Sequence, residues 1–463
     1  MVNEDILGIK RADFFSKNST FSKHGKRMKV LFTGALTAIG VALTTSPAVA
    51  QVAEQELLAS FGVGIPEVTV PFGMSAFADH NIYVIGIKNG WLTEVGLSVS
   101  PEPFGVRSLS PQVIPRFLSG ESEIHTWYGP LQIEIMERVP HVKLFTFSDT
   151  YVGTYMLAAR DGGAKTVAEL VEGGMPFEEA MTFVMQQLKG KRVGIDNTGS
   201  SRVFLDAITD IGGLSFDDVD LKVLEDARLV NLARGGHLDF VSPAGAAQNV
   251  MLLKEGWYPA VSITDLIENL PPGDPRGIGS IGHTGLATTD DYYRENFDTI
   301  LRMTSVMFRI IDAINTDLAD GTDHALALEV PVIEAAAGVK LGVEGLRAIF
   351  TTLDPLLSFE DQADYWVNQD NPHYYWNVYM PQIKAAQDGG LLPSDKEFIP
   401  DDAFTAPHVY KTLLRYRTWY DQVVDRAAAK LDGERARLAK VAATHYANRN
   451  YLDAYRILDA ALN

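Results

Sequence analysis

Between Leu188 and Ile208 the chain reads LKGKRVGIDNTGSSRVFLDAI. A short apolar strand (Arg192 to Ile195) runs into a polar turn (Asp196 to Ser201) and then into an amphipathic helix. This strand–turn–helix unit constrains the fold because it recurs. Glu67 to Phe72 reads as a strand, Gly73 to Ala78 as a loop, Asp79 to Asn89 as a helix and Gly96 to Ser100 as the next strand. Helical patterns at Val113 to Leu118 and Leu131 to Arg138 then alternate with strands at Ser122 to Thr126, Val142 to Phe147 and Gly153 to Ala159. A second set follows between Asp161 and Ala287, with strands at Gly190 to Ile195, Asp220 to Leu224 and Phe240 to Val241 and a helix at Leu229 to Ala233. Beyond Asp290 the pattern is mostly helical. Strands alternating with helices at this spacing specify a parallel-type α/β fold.

The two sets predict two lobes, joined by crossings near Leu157 to Arg160 and Gly285 to Thr288, with a cleft between them. In open α/β sheets ligands sit outside the carboxyl ends of the strands. The loops at such ends carry Ser75, the run Thr126-Trp127-Tyr128, the turn Asn197 to Ser201, and Ser242-Pro243. The turn is the sharpest of these. Thr198, Gly199, Ser200 and Ser201 stand where unpaired N–H groups open a helix, which suits an anion or a polar ligand head; the same residues also suit a plain helix cap. Arg202 would reach a ligand carboxylate, sulfonate or phosphate, or pair with Asp206 one turn on. His80 starts the first helix, and His283 precedes the return crossing. Trp127 and Tyr128 would stack on a ligand or wall the cleft.

The N-terminus sets the compartment. Lys23, Lys26, Arg27 and Lys29 precede the apolar run Val30 to Leu43 and then Ser46-Pro47-Ala48-Val49-Ala50. That is the pattern of a secretory signal peptide cleaved near Gln51, with Met1 or Met28 as the start. The following stretch, Gln51 to Ile65, reads as a mobile lead-in. The formal charge is −19. Residues 1–50 hold seven Lys/Arg and three Asp/Glu, which leaves about −23 on the remainder and argues against nucleic acid or anionic membranes as partners. There is no cysteine, so no disulfide and no acceptor for a bacterial lipid anchor; the expected location is the periplasm.

Four segments resemble one family. They are Phe77-Ala78-Asp79-His80-Asn81-Ile82-Tyr83-Val84 with Lys88 to Leu97; Phe117-Leu118-Ser119-Gly120-Glu121-Ser122-Glu123; Leu188 to Gly194 with Gly199-Ser200-Ser201; and Leu232 to Phe240. In this order they resemble the periplasmic solute-binding proteins of bacterial ABC transporters, in the group that serves nitrate, sulfonates, taurine and thiamine pyrimidines. The resemblance implies a two-lobed periplasmic-binding-protein fold of type II, each lobe a mixed, mostly parallel sheet flanked by helices. It places the first part of lobe 1 at residues 66–158, lobe 2 at 159–286 and the return to lobe 1 at 287–407; the C-terminal helical extension at 408–463 departs from the family, running longer than is usual there.

It also implies a receptor rather than an enzyme, with no cofactor. Such a receptor closes on a small organic anion or a small heterocycle and delivers it to a membrane permease. No zinc-protease, nucleophile-elbow or phosphate-loop motif is present. The alternatives are an enzyme on the same fold, as in pyrimidine synthesis, and a receptor for a sensor or a tripartite transporter. A monomer is expected. The tail from Tyr410 is helical, broken at Asn448-Arg449-Asn450 before a last helix from Tyr451 to Leu462. It reads as a layer packed on lobe 1 or as a docking or dimer surface.

Overall fold

The computed structural model describes residues 47–463 apart from 109, 197–198, 272–273, 279–280 and 429–430. For 47–51, 110–111, 199–203, 275, 278 and 427–428 it describes the backbone alone. The chain divides into two units, Met1–Gly64 and Ile65–Asn463. In the first, Pro47–Ser60 is a helix, so the segment expected to be a mobile lead-in is ordered from Pro47. Its Ala, Glu, Gln and Leu content accounts for that. The helix ends where the Val63 N–H reaches back to the Leu58 carbonyl and Gly62 takes a left-handed φ of 72°.

The second unit carries two mixed sheets. In lobe 1, β1 (Val68–Ser75) pairs in parallel with β2 (Leu97–Ser100), β3 (Val106–Ser108) and β4 (Ile124–Tyr128). The sheet is completed by β5 (Val142–Phe147) and by a late strand, Thr284–Thr289, which runs antiparallel between β4 and β5. In lobe 2, β6 (Tyr155–Ala158), β7 (Arg192–Ile195), β8 (Asp220–Val223), β9 (Phe240–Ser242) and β10 (Tyr258–Ser262) take the order β10-β6-β9-β7-β8. The late strand is β11. The last four residues of β1 and nearly all of the edge strand β5 are buried, as strands covered on both faces must be. Lobe 2 closes its own core with Met181, Val184, Met185, Phe204 and Ile208 under the sheet. Each fully buried side chain of this kind contributes about 1.5–3 kcal/mol.

The crossings are not where the sequence placed them. Leu157 and Ala158 lie inside β6 of lobe 2, and Gly285 to Thr288 lie inside β11 of lobe 1. The chain leaves lobe 1 directly after Phe147 and returns at Ile281 to His283. The two crossings are bonded to each other, Tyr151 N–H to the Gly282 carbonyl at 2.8 Å. A third segment joins them. Thr150 and Val152 donate to the carbonyls of Pro355 and Leu353, and Leu357 donates to Ser148. Backbone pairing outside the sheets therefore fixes the base of the two lobes, which the strand pattern alone does not reveal.

The C-terminal extension packs on lobe 1. Helices Ala406–Ala428, Gly433–Ala447 and Tyr451–Leu462 follow a segment in which Phe404 bridges to Leu144 beside β5. Leu144 donates to Ala403 and accepts from Thr405, so this segment covers the open edge of the lobe-1 sheet.

Candidate functional site

Where β1 ends, the chain turns into two short helices, Ala78–Asn81 and Tyr83–Lys88. The Asn81 side chain stitches the turn by donating to the Ser75 carbonyl at 2.8 Å. Ser75, His80 and Thr126, expected at this end of the sheet, are brought together. The Ser75 N–H donates to Thr126 Oγ1 at 3.0 Å, and His80 Nδ1 lies 2.8 Å from the same oxygen. The other ring nitrogen, Nε2, lies 3.5 Å from Asp79 Oδ2. Burial lowers the His80 pKa, so the ring is neutral and orients the Asp79 carboxylate.

Asp79 is one of three buried carboxylates that converge here. Asp149 follows β5 at the first crossing. Asp354 follows a π-helical turn, Ile349–Leu353, a device common at functional sites. One oxygen from each of the three lies within 4.8 Å of the other two. Asp149 accepts from Ser148 Oγ at 2.7 Å and from the Thr284 N–H at 3.2 Å. Apart from the Asp149 carboxyl, no described group bonds to either oxygen of Asp354. Burial, and next the Asp79 charge, pushes Asp149 up to about 8; burial followed by Asp79 and Asp149 pushes Asp354 well above the carboxylate range. Glu329, buried and also without a donor, is raised by burial and by Asp79.

Tyrosines surround the cluster. The Tyr83 hydroxyl is buried without a partner, and its pKa is raised by burial and then by Asp149 and Asp79. Tyr128, raised by burial, feels all three aspartates. Its hydroxyl lies so close to Gly282 that a Cβ there would come within 1.8 Å of it. Tyr151 connects the crossing to lobe 2, its hydroxyl 2.7 Å from the Ala244 carbonyl and 3.0 Å from that of Gly153. Asn249 donates to the Gly153 and Pro243 carbonyls at 3.1 and 3.3 Å and keeps Oδ1 unpartnered.

Lobe 2 presents a second carboxylate pair. Asp226 accepts from the Ala244 and Gly245 N–H groups at 3.0 and 2.8 Å, and burial, with the neighbouring Asp196, pushes it up to about 7. Ser242, expected at the end of β9, is fully buried with its hydroxyl unpartnered and its carbonyl accepting from the Asp196 N–H.

Two expected residues sit away from this group. Trp127 is core, its indole N–H on Gln132 Oε1 at 3.0 Å and Gln132 in turn on the Val142 carbonyl. Strand alternation sends Trp127 to the face opposite Thr126 and Tyr128. His283 stacks on Phe147 with ring centroids 4.6 Å apart, and its Nδ1 lies 3.0 Å from the Tyr379 hydroxyl. Thr198 lies outside the described residues, as do the side chains of Gly199, Ser200, Ser201 and Arg202. Sequence reasoning did not single out Asp149, Asp354, Glu329, Tyr83, Tyr151 or Asn249. The available signals were Asp79 beside His80 and the polar run Ser148-Asp149-Thr150 directly after an apolar strand.

No family model matches the chain, and no curated protein matches it. Solved structures do. The periplasmic aliphatic sulphonate binding protein SsuA from Escherichia coli is 14% identical with a TM-score of 0.49, covering 73% of this chain and 91% of its own. The alkanesulfonate-binding protein SsuA from Xanthomonas axonopodis pv. citri, bound to MOPS, is 12% identical with a TM-score of 0.48, covering 74% and 98%. The desulfurization enzyme DSZB is 13% identical with a TM-score of 0.45, covering 75% and 99%. Receptors and an enzyme thus stand side by side among these neighbours. Among the described residues no helix is long and apolar enough to cross a membrane.

Proposed function

We propose that the protein is a solute receptor that closes its two lobes on a small molecule and presents it to a membrane permease. The observation that carries the reading is the buried polar layer at the lobe junction. Tyr151 and Asn249 tie the crossing to lobe 2 there, while Ser242 Oγ and Asn249 Oδ1 are buried without partners. Buried polar atoms left unpaired cost about 1–3 kcal/mol each, and a bound solute would satisfy them. Closure shifts a two-state equilibrium by the differential affinity of the ligand for the closed form.

Of the two ligand classes the sequence suggested, the heterocycle is favoured. A free carboxylate or sulfonate calls for cationic or N–H donors, whereas the side chains gathered here are the carboxyl groups of Asp79, Asp149 and Asp354 in lobe 1 and of Asp196 and Asp226 in lobe 2. A flat heterocycle instead finds donors and acceptors in Asn249 and Ser242, with the Tyr128 and Tyr151 rings nearby. Native mass spectrometry of gently purified protein, with X-ray scattering before and after ligand removal, tests this. A retained heterocycle whose return shrinks the radius of gyration supports the reading. An empty protein, with a radius unchanged by pyrimidines, purines, sulfonates and carboxylates, overturns it.

A further inference from the structure

The carboxylates of Asp79, Asp149 and Asp354 come from three distant chain segments: the turn after β1, the first crossing, and the segment that backs that crossing. Mutual repulsion among buried acids opposes such a gathering. Around it stand side chains with unspent hydrogen-bonding capacity. Asp354 has no partner beyond the Asp149 carboxyl, the Tyr83 hydroxyl faces the field of Asp149 and Asp79 without a partner, and Thr284 Oγ1 is unpartnered although its own N–H reaches Asp149. All three side chains are at least nine-tenths buried. Nearby, Arg107 is set against Glu329. His80 is neutral and engaged with Thr126 and Asp79.

We propose that Asp79, Asp149 and Asp354 hold a divalent cation of the hard, oxygen-seeking class, Ca²⁺ in preference to Mg²⁺, where the lobe crossings meet. The donor set is all carboxyl oxygen, which selects Ca²⁺, Mg²⁺ or Mn²⁺ over softer metals and would be ionised by the bound cation. Mg²⁺ dehydrates reluctantly and usually keeps several waters, whereas Ca²⁺ accepts a cage of protein oxygens. The three carboxyl groups are buried and their oxygens lie within 4.8 Å of one another, which suits the ion that gives up its waters. The oxygens of Asp354 touch no solvent-sized space, so the position admits a bare ion rather than an alkylammonium group. The ion ties the first turn of lobe 1 to the crossing and so favours one arrangement of the lobes.

The test uses the full chain, stripped with EDTA, desalted and returned to CaCl₂, MgCl₂ or MnCl₂. Elemental analysis after gel filtration is expected to find one Ca²⁺ per chain, with a melting temperature that rises with CaCl₂ and ignores KCl. Asp354→Asn, which keeps the shape and removes the charge, is expected to weaken Ca²⁺ binding about 100-fold by calorimetry. Asp79→Asn gives a second, independent reading, and Asp217→Asn, on an exposed turn, leaves binding unchanged. Three results each overturn the proposal: identical melting in EDTA and CaCl₂ with no metal retained; methylammonium stabilising as strongly as Ca²⁺; or an unaltered Ca²⁺ response in both asparagine variants. Closure on a solute in EDTA would leave the receptor reading standing while this one fell.

Discussion

Arg302 and Asp453 meet as a two-pronged ion pair, Nε to Oδ2 at 2.9 Å and Nη2 to Oδ1 at 2.8 Å, with neither side chain more than 3% exposed. The pair joins the helix Phe297–Asp320 to the last helix, Tyr451–Leu462. Asn450 donates to the same carboxylate at 2.7 Å. Nearby, Arg456 holds Asp298 and Arg449 holds Asp312. The tail is thereby fastened to lobe 1 by charges taken out of water.

Removing one partner leaves the other buried and uncompensated. Asp453→Ala is expected to destabilise the protein by about 3–5 kcal/mol in urea unfolding. The double variant Arg302→Met with Asp453→Leu should recover most of that loss. Equal losses in the single and double variants would show that the pair itself stabilises the tail.

Thr126→Val strands both the Ser75 N–H and His80 Nδ1 while preserving the volume of the side chain. The expected cost is about 2 kcal/mol, and Thr126→Ser should stay close to the parent. Thermal unfolding of the two variants side by side checks this.

Tyr151→Phe deletes the hydroxyl that bridges the crossing to the Ala244 carbonyl of lobe 2. A loss of about 1 kcal/mol in the closed form corresponds to about a 5-fold shift toward the open one. X-ray scattering would register it as a larger radius of gyration at unchanged secondary structure. An unchanged radius would mean that this contact does not bias the lobes.

Glu334 supplies a pH window. It accepts from Lys340 and from the Leu341 and Gly342 N–H groups, and the Lys340 bond first, then the Gly342 N–H, hold its pKa down to about 2. A depressed carboxylate stabilises the fold above the ordinary value near pH 4 and loses that contribution as pH falls to about 2. Glu334→Gln is therefore expected to cost about 1 kcal/mol at pH 7, less than the full linkage value because Lys340 stands in solvent. The difference from the parent should vanish in melts near pH 2.

Local pattern in the sequence determined much of this protein. Alternating apolar residues marked strands such as Val142–Phe147, and the break at Asn448 to Asn450 marked the start of the last helix, where Arg449 takes a left-handed φ of 64°. The rule that sites lie at the ends of strands drew Ser75, His80 and Thr126 into one group, and the structure brings them into contact, because chain direction and loop position are local properties. The period of two along β4 already held the face of Trp127, since Thr126 and Tyr128 share one side and Trp127 takes the other. Tertiary structure alone decided the rest. The lobe crossings are fixed by backbone bonds between Ser148–Val152 and Leu353–Leu357, and Asp79, Asp149 and Asp354 become neighbours only through them. An isolated aspartate in a polar run carries no mark of its partners. Their convergence is a consequence of long-range packing, which brings distant segments together for reasons of burial and leaves the charges to be compensated where they meet.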